Sequence, residues 1–96
     1  MKITQIEAPQ QLRLAWLAIG TTGKAYETDT DCHIIVSREQ GRWHMSISHN
    51  ERYPSWDEIH EARYELLPEE RTFAMILPPK SEYVNLHHNC FHLWEI

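Results

Sequence analysis

The sequence is short of several features on which protein chemistry commonly depends, and each shortage excludes something. It has two cysteines, Cys32 and Cys90, and no C-x-x-C pair. Two thiols without metal-type spacing are expected to stay free in a reducing cytoplasm. No apolar run approaches the length of a membrane span, so no membrane partner is expected. The start, Met1 to Glu7, lacks the apolar stretch of a signal peptide. Glycine is scarce, at three residues, and there is no Gly-rich phosphate loop, nucleophile elbow or H-E-x-x-H motif. The chain therefore reads more as a binding protein than as an enzyme. Basic residues are also in deficit, nine against fourteen acidic, for a formal charge of −5. That weighs against broad nucleic-acid binding, which draws its affinity from basic side chains on phosphates. A small anionic ligand is still compatible, because a few local donors can hold one phosphate.

What is present is a globular composition, 42% apolar with four tryptophans, in 96 residues. That length makes one domain, 1–96, close to the lower limit for a single unaided core. Uncovered apolar surface on so small a domain makes a homo-oligomer the expectation.

Along the chain, Pro9 opens a segment with Leu12, Ala15, Trp16 and Ile19 at helical spacing and Gly20 as a stop. The alternating set Leu12, Leu14 and Trp16 also fits a strand, and helix is preferred. Thr21 to Asp31 is polar, contains Gly23 and reads as a mobile loop. Residues 1–31 are thus an N-terminal helix and loop ahead of a core at 32–96. Cys32 to Ser37 and Trp43 to Ser48 read as two strands of a hairpin around Glu39-Gln40-Gly41. On the second strand Trp43, Met45 and Ile47 face one way, while His44, Ser46 and Ser48 face the other. That polar face either meets solvent or lines a site.

Ser55-Trp56-Asp57-Glu58 forms a capping box, with Ser55 as the cap and Glu58 reaching back. The helix it starts has a buried stripe of Trp56, Ile59, Ala62, Arg63, Leu66 and Leu67, and Pro68 ends it. Thr72 to Leu77 reads as a strand stopped by Pro78-Pro79. Tyr83 to Leu86 and Cys90 to Ile96 read as a last hairpin, turning at His87-His88-Asn89. The expected fold is α+β: a small antiparallel sheet of β-hairpins with one or two helices packed on one face.

Three constellations carry candidate chemistry. In the tail, His87, His88, Cys90 and His92 are ligands of the kind zinc takes, but their spacing matches no zinc framework. No cofactor is therefore expected, with zinc as the metal to look for. The histidines His44, His49, His60 and those of the tail could supply a base and an acid for phosphodiester hydrolysis. Paired H-x-[ST] repeats are absent, and no catalytic residue is assigned. The third constellation is ligand binding without chemistry. Arg52, Tyr53 and Trp56 lie at a helix N-terminus, where unsatisfied N–H groups and the dipole favour an anion. Ser46, Ser48, Lys80 and Tyr83 could add donors, while His92 and Trp94 would form a second wall, with Trp94 as a stacking face. A plain structural role for Trp56, as the first core residue of its helix, stands beside this reading.

Three stretches resemble the DUF7694 domain family of bacteriophage and prophage proteins, which has no established function. They are I-I-V-S-R-E-Q-G-R-W-H-M-S-I-S-H, R-Y-P-S-W-D-E-I and P-P-K-S-E-Y-V-N-L-H-H-N-C-F-H-L-W. Together they span about residues 35–94. The resemblance implies a phage-encoded accessory protein inside the host bacterial cell, and it implies no reaction. Small acidic phage proteins act on host machinery by mimicking nucleic acid, covering a host protein or sequestering a nucleotide defence signal. A charge of −5 over 96 residues is sparse for the first of these. The expectation is a non-catalytic, anti-defence binding protein for a small anionic or nucleotide ligand. The alternatives are a histidine- or metal-dependent phosphodiester hydrolase and an inhibitor that binds a host protein directly.

Overall fold

The structure is a computed structural model and describes residues 1–76 and 89–96. In chain order its elements are β1 (Ile3–Ile6), α1 (Gln10–Ile19), β2 (Thr22–Thr28), β3 (Cys32–Glu39), β4 (Arg42–His49), α2 (Trp56–Leu66), β5 (Phe73–Ile76) and β6 (Cys90–Glu95). The six strands form one antiparallel sheet in the order β1-β2-β3-β4-β6-β5. The α+β expectation is met.

The β3–β4 hairpin follows from its turn. Gln40 and Gly41 both adopt positive φ, 54° and 78°, which matches the right-handed twist of the flanking strands. The strands run two residues further on one side and one on the other than apolar alternation alone suggests, out to Glu39 and Arg42. Register then places Ile34 opposite Ile47 and Val36 opposite Met45. Adding β6 puts Leu93 beside Met45 and Phe91 beside Ile47. These residues, with Cys32, make an apolar face on which α2 lays Ile59 and Ala62, and the residue after it, Leu67. Truncating a fully buried member such as Ile34 or Ile47 would cost about 2–5 kcal/mol.

The capping box forms as expected: Ser55 Oγ accepts from Glu58 N at 3.2 Å, and Glu58 Oε1 accepts from Ser55 N at 2.8 Å. The buried stripe differs at its start. Trp56 is 60% exposed while Glu58 and Ile59 of the same turn are buried, so the turn packs by that side and the Trp56 ring meets those of Phe91 and His60, at 6.0 and 6.4 Å. Arg63 behaves as a border residue, its guanidinium 4.7 Å from the centre of the Phe73 ring.

Three further expectations are corrected. Thr21 to Asp31 is not a loop: most of it is β2, bonded to β1 on one side and β3 on the other. Its glycine is not a turn residue. A Cβ on Gly23 would lie 2.4 Å from the Trp16 indole, so Gly23 is there to admit that ring. Second, β6 is an interior strand between β4 and β5 rather than the end of a terminal hairpin; Tyr83–Leu86 and the His87-His88 part of the turn lie outside the described residues. Third, the helical stripe of α1 is narrower than its spacing suggests. Trp16 is buried and Leu12 half-buried, whereas Ala15 and Ile19 are exposed.

Period-two alternation also separates the helices. Trp16 packs with Ala8, Ala25, Ile6 and Ile35, which point away from the face that α2 covers. The two helices therefore lie on opposite faces, α2 over the main core and α1 over β2 and its neighbours.

Candidate functional site

On the sheet face opposite α2, β4 presents His44, Ser46 and Ser48, as alternation required. β6 lies beside it and brings Trp94 opposite His44, His92 opposite Ser46, and Cys90 opposite Ser48. All six are half-buried. Inside this row His44 Nε2 and His92 Nδ1 share a hydrogen bond of 2.9 Å. The other nitrogen of His92 lies 3.6 Å from the Cys90 thiol. The two imidazoles lie edge to edge and nearly coplanar, their planes 16° apart, and the centre of the His44 ring is 4.0 Å from that of Trp94.

An N–H···N bond needs one donor and one acceptor, so each imidazole fixes the tautomer of its neighbour. Burial, followed by the nearby His92, pushes His44 down to about 4. Burial lowers His92 as well and raises the Cys90 thiol. Near neutral pH the row is thus two neutral imidazoles and a protonated thiol. Because the two nitrogens of His92 address different partners, one ion cannot be held by all three groups as they stand. Among the described residues no set of three His, Cys, Asp or Glu side chains is arranged to hold a metal. Of the four ligands considered for zinc, Cys90 and His92 meet each other, while His87 and His88 lie outside the described residues.

The Arg52 corner is a different environment. Arg52 donates from Nη1 to Glu58 Oε1 at 2.6 Å and from Nη2 to Glu58 Oε2 at 3.0 Å. Glu58 is buried, at 7% exposure, and it also accepts from the Thr30 hydroxyl and, at 3.2 Å, from the Cys32 thiol. The guanidinium of Arg52 holds its carboxyl well below the usual carboxylate range against the opposing effect of burial. Burial, reinforced by Glu58, pushes Cys32 up to about 11. An anion was expected at the start of α2, and Glu58 is that anion. The corner pins the β2–β3 connection and β3 to the helix.

Sequence reasoning grouped eight residues into one ligand site; the fold divides them. Ser46, Ser48, His92 and Trp94 line the face opposite α2. Arg52, Tyr53 and Trp56 stand at the start of α2, where Tyr53 and Trp56 lie 5.5 and 6.0 Å from the ring of Phe91, a residue of the other face. Tyr83, like Lys80, lies outside the described residues. His92 and Trp94 therefore do not form a wall opposite the capped helix, because the sheet stands between them. Among the histidines, His44 and His92 converge. His49 instead bonds the Thr30 carbonyl and the Glu51 N–H, and His60 is an exposed helix residue.

Sequence reasoning missed a cleft of about 880 Å³ between the C-terminal end of α1 and the β3–β4 turn, bordered by Ile19, Thr21, Arg38, Glu39, Arg42 and Trp94 among others. Arg42 donates from Nε and Nη2 to the carbonyl of Glu95, at 3.0 and 2.5 Å. Arg38 lies over the Trp43 ring at 4.7 Å and donates to the Gly41 carbonyl. Neither has a carboxylate within 4.0 Å among the described residues, whereas Arg13, Arg52 and Arg71 are ion-paired. Glu39 adds one negative charge to the rim. The hydroxyl of Thr21 is buried without a hydrogen-bond partner. The available signal was R-E-Q-G-R, two arginines bracketing a tight turn, in which Glu39 disguised the positive charge.

A family profile described as a domain of unknown function, DUF7694, matches residues 34–96, about two thirds of the chain. The chain belongs to the DUF7694 family. No curated protein and no solved structure matches it. The DUF7694 segment contains most of β3 and all of β4, α2, β5 and β6, hence the histidine row, Arg42 and Trp94. It leaves out β1, α1 and β2, so the α1 wall of the cleft lies outside the family match.

Proposed function

We propose that this DUF7694 protein is a non-catalytic binding protein for a small anionic ligand, a nucleotide among them, held in the cleft between α1 and the β3–β4 turn. One observation carries this reading: the Arg42 guanidinium borders the same cleft as Trp94 and is oriented by a carbonyl instead of being neutralised by a carboxylate. A neutral acceptor fixes the planar fork without cancelling its charge, so Nη1 can address a phosphate or carboxylate. Trp94 offers an aromatic surface to a flat ring. In the phage setting that the family resemblance implies, such a protein would withdraw a nucleotide signal from a host defence.

The His44–His92 pair favours catalysis less. His92 spends its two nitrogens on His44 and Cys90, His44 Nε2 is turned to His92, and among the described residues no carboxylate orients either ring as a base. The test is a thermal-shift panel of inorganic phosphate and of linear and cyclic nucleotides, run with metal analysis of the purified protein. A ligand at one hundred times its dissociation constant stabilises by about 2.7 kcal/mol, well within detection. The reading requires a ligand whose shift disappears in Arg42→Gln. It fails if no anion shifts the midpoint, or if Arg42→Gln leaves the shift intact.

A further inference from the structure

We propose that the outward face of α2 is a docking surface for a basic segment of another polypeptide, rich in arginine or lysine. The inner side of this helix is spent on the core, through Glu58, Ile59 and Ala62. Its outer side carries two adjoining rows at four-residue spacing, all six residues exposed. Trp56, His60 and Tyr64 make one row, and Asp57, Glu61 and Glu65 make the other. Trp56 and Tyr64 are 60% and 76% exposed, and the rings of Trp56 and His60 lie 6.4 Å apart. An aromatic row on the solvent side of a helix already packed by its other side marks a surface for binding rather than for folding.

The acidic row decides what binds there. Carboxylates four residues apart on a helix repel each other. Asp57 suits the positive end of the helix dipole, but Glu65 stands in the last turn, where a carboxylate is unfavourable. Glu61 is answered by the amino group of Met1 at 3.1 Å. Among the described residues, neither Asp57 nor Glu65 has a cation within 4.0 Å. The helix thus keeps a row that costs it stability and that a cationic partner would relieve. A second copy of −5, a nucleic acid or an anionic membrane would each add to the repulsion instead.

Shape selects an extended polypeptide. Along the C-terminal half of α2 runs a groove of about 480 Å³ bordered by His60, Glu61, Arg63, Tyr64, Glu65 and Glu69. Arg63, its one Lys or Arg side chain, is committed to the carbonyls of Leu67, Glu69 and Arg71 and to the ring of Phe73. Three carboxylates are left beside Tyr64, where a long cationic side chain can lie on the ring and end on a carboxylate. Trp56 stands eight residues earlier, about 12 Å along the axis. A single cation cannot use both rings, whereas an extended segment of about four residues spans them. The face lies within the DUF7694 segment and across the sheet from α1, so its occupation does not depend on what the Arg42 cleft binds.

A fluorescently labelled octa-arginine peptide is titrated with the intact chain at about 0.15 M salt, with anisotropy as the readout. Saturable binding is expected, and Glu65→Lys/Glu69→Lys should weaken it by about tenfold or more. Tyr64→Ala should weaken it about two- to fivefold. These side chains are exposed, so far-ultraviolet circular dichroism should not change. The charge-matched variant Glu27→Lys/Glu51→Lys, altered at another part of the surface, should bind within about twofold of wild type. Absence of binding overturns the proposal. So does an equal loss in the charge-matched variant, which would reduce the attraction to net charge. Spermine bound as tightly as the peptide overturns it too, by making the occupant a small polycation.

Discussion

Two arginines of this chain sit at comparable distances from their neighbours, and the neighbours differ in kind. Arg52 grips a carboxylate, Glu58, through both terminal nitrogens. Arg42 grips a carbonyl, that of Glu95, through Nε and one terminal nitrogen. Both guanidinium groups are oriented, but only the first is neutralised. A charge paired with a buried carboxylate serves the fold, because each partner makes the other's position tolerable. A charge oriented by a neutral acceptor still attracts anions. Exposure alone would have ranked Arg52 as a good candidate; the identity of the partner reverses that.

The largest effect expected from breaking this contrast is at Glu58. Glu58→Ala strips the Arg52 fork, the Ser55 N–H, the Thr30 hydroxyl and the Cys32 thiol of their common acceptor. Unfolding in urea should show a loss on the order of 3 kcal/mol. A loss below about 1 kcal/mol would mean that the corner is not the pin described above. Arg52→Gln should cost less, because that side chain is half in solvent and its share of the pair is screened.

Next in size is the wall of the Arg42 cleft. α1 docks by placing the Trp16 ring directly over Gly23, where an added Cβ would meet Trp16 Cζ2 at 2.4 Å. Gly23→Ala should therefore destabilise by about 1–3 kcal/mol through overpacking. It should also shift the indole fluorescence of Trp16. A neutral or stabilising result would show that α1 can move aside without cost, and the cleft would then have no fixed second wall.

These two sites also show what was legible in the chain. The capping box was readable because it is local: Ser55 and Glu58 are three residues apart, and the helix needs both groups at those positions. The polar face of β4 was readable from period-two alternation. Missing was the occupancy of that capping carboxylate by Arg52, Thr30 and Cys32, which depends on how β3 meets α2. β2 was hidden because its exposed positions, Thr22, Lys24 and Glu27, and the small residues Gly23 and Ala25 imitate a loop. Only the seat of Trp16 explains them. The pairing of His44 with His92 spans 48 residues and depends on β6 lying beside β4, which no local pattern announces. The Arg42 cleft needed the end of α1 to be placed against a turn far along the chain.

A smaller effect separates the two regions by pH. An unfolded imidazole takes up its proton near 6.5, and native His44 does so at about 4. Between those values the unfolded chain binds more protons, so this contribution to stability is complete above 6.5 and falls away as pH drops toward 4. His92, also lowered, acts with the same sign. Glu58, with a depressed native value, contributes fully above its unfolded value of 4.5 and loses that contribution below it. Urea midpoints measured from pH 7.5 to 5 should thus decline in the wild type and decline less in His44→Phe, which keeps an aromatic ring against Trp94. Equal slopes in the two proteins would assign the pH dependence to other groups.

The smallest effect on stability is the one that bears most directly on function. Arg42 is exposed, and its partner is the Glu95 carbonyl near the chain's last strand end. Arg42→Gln should leave the urea midpoint within about 0.5 kcal/mol of wild type, because a carbonyl left without its guanidinium can turn to water. The same substitution should abolish the thermal shift given by any anion that the wild type binds. Arg52→Gln should do the converse, lowering stability while leaving the ligand-induced shift in place. Both variants are needed, since a single destabilised protein can lose ligand binding for lack of folded molecules. If Arg52→Gln, corrected for its lower midpoint, loses the shift and Arg42→Gln keeps it, the assignment is inverted: the anion would then compete with Glu58 for the start of α2, and the carboxylate there would act as a gate rather than a pin.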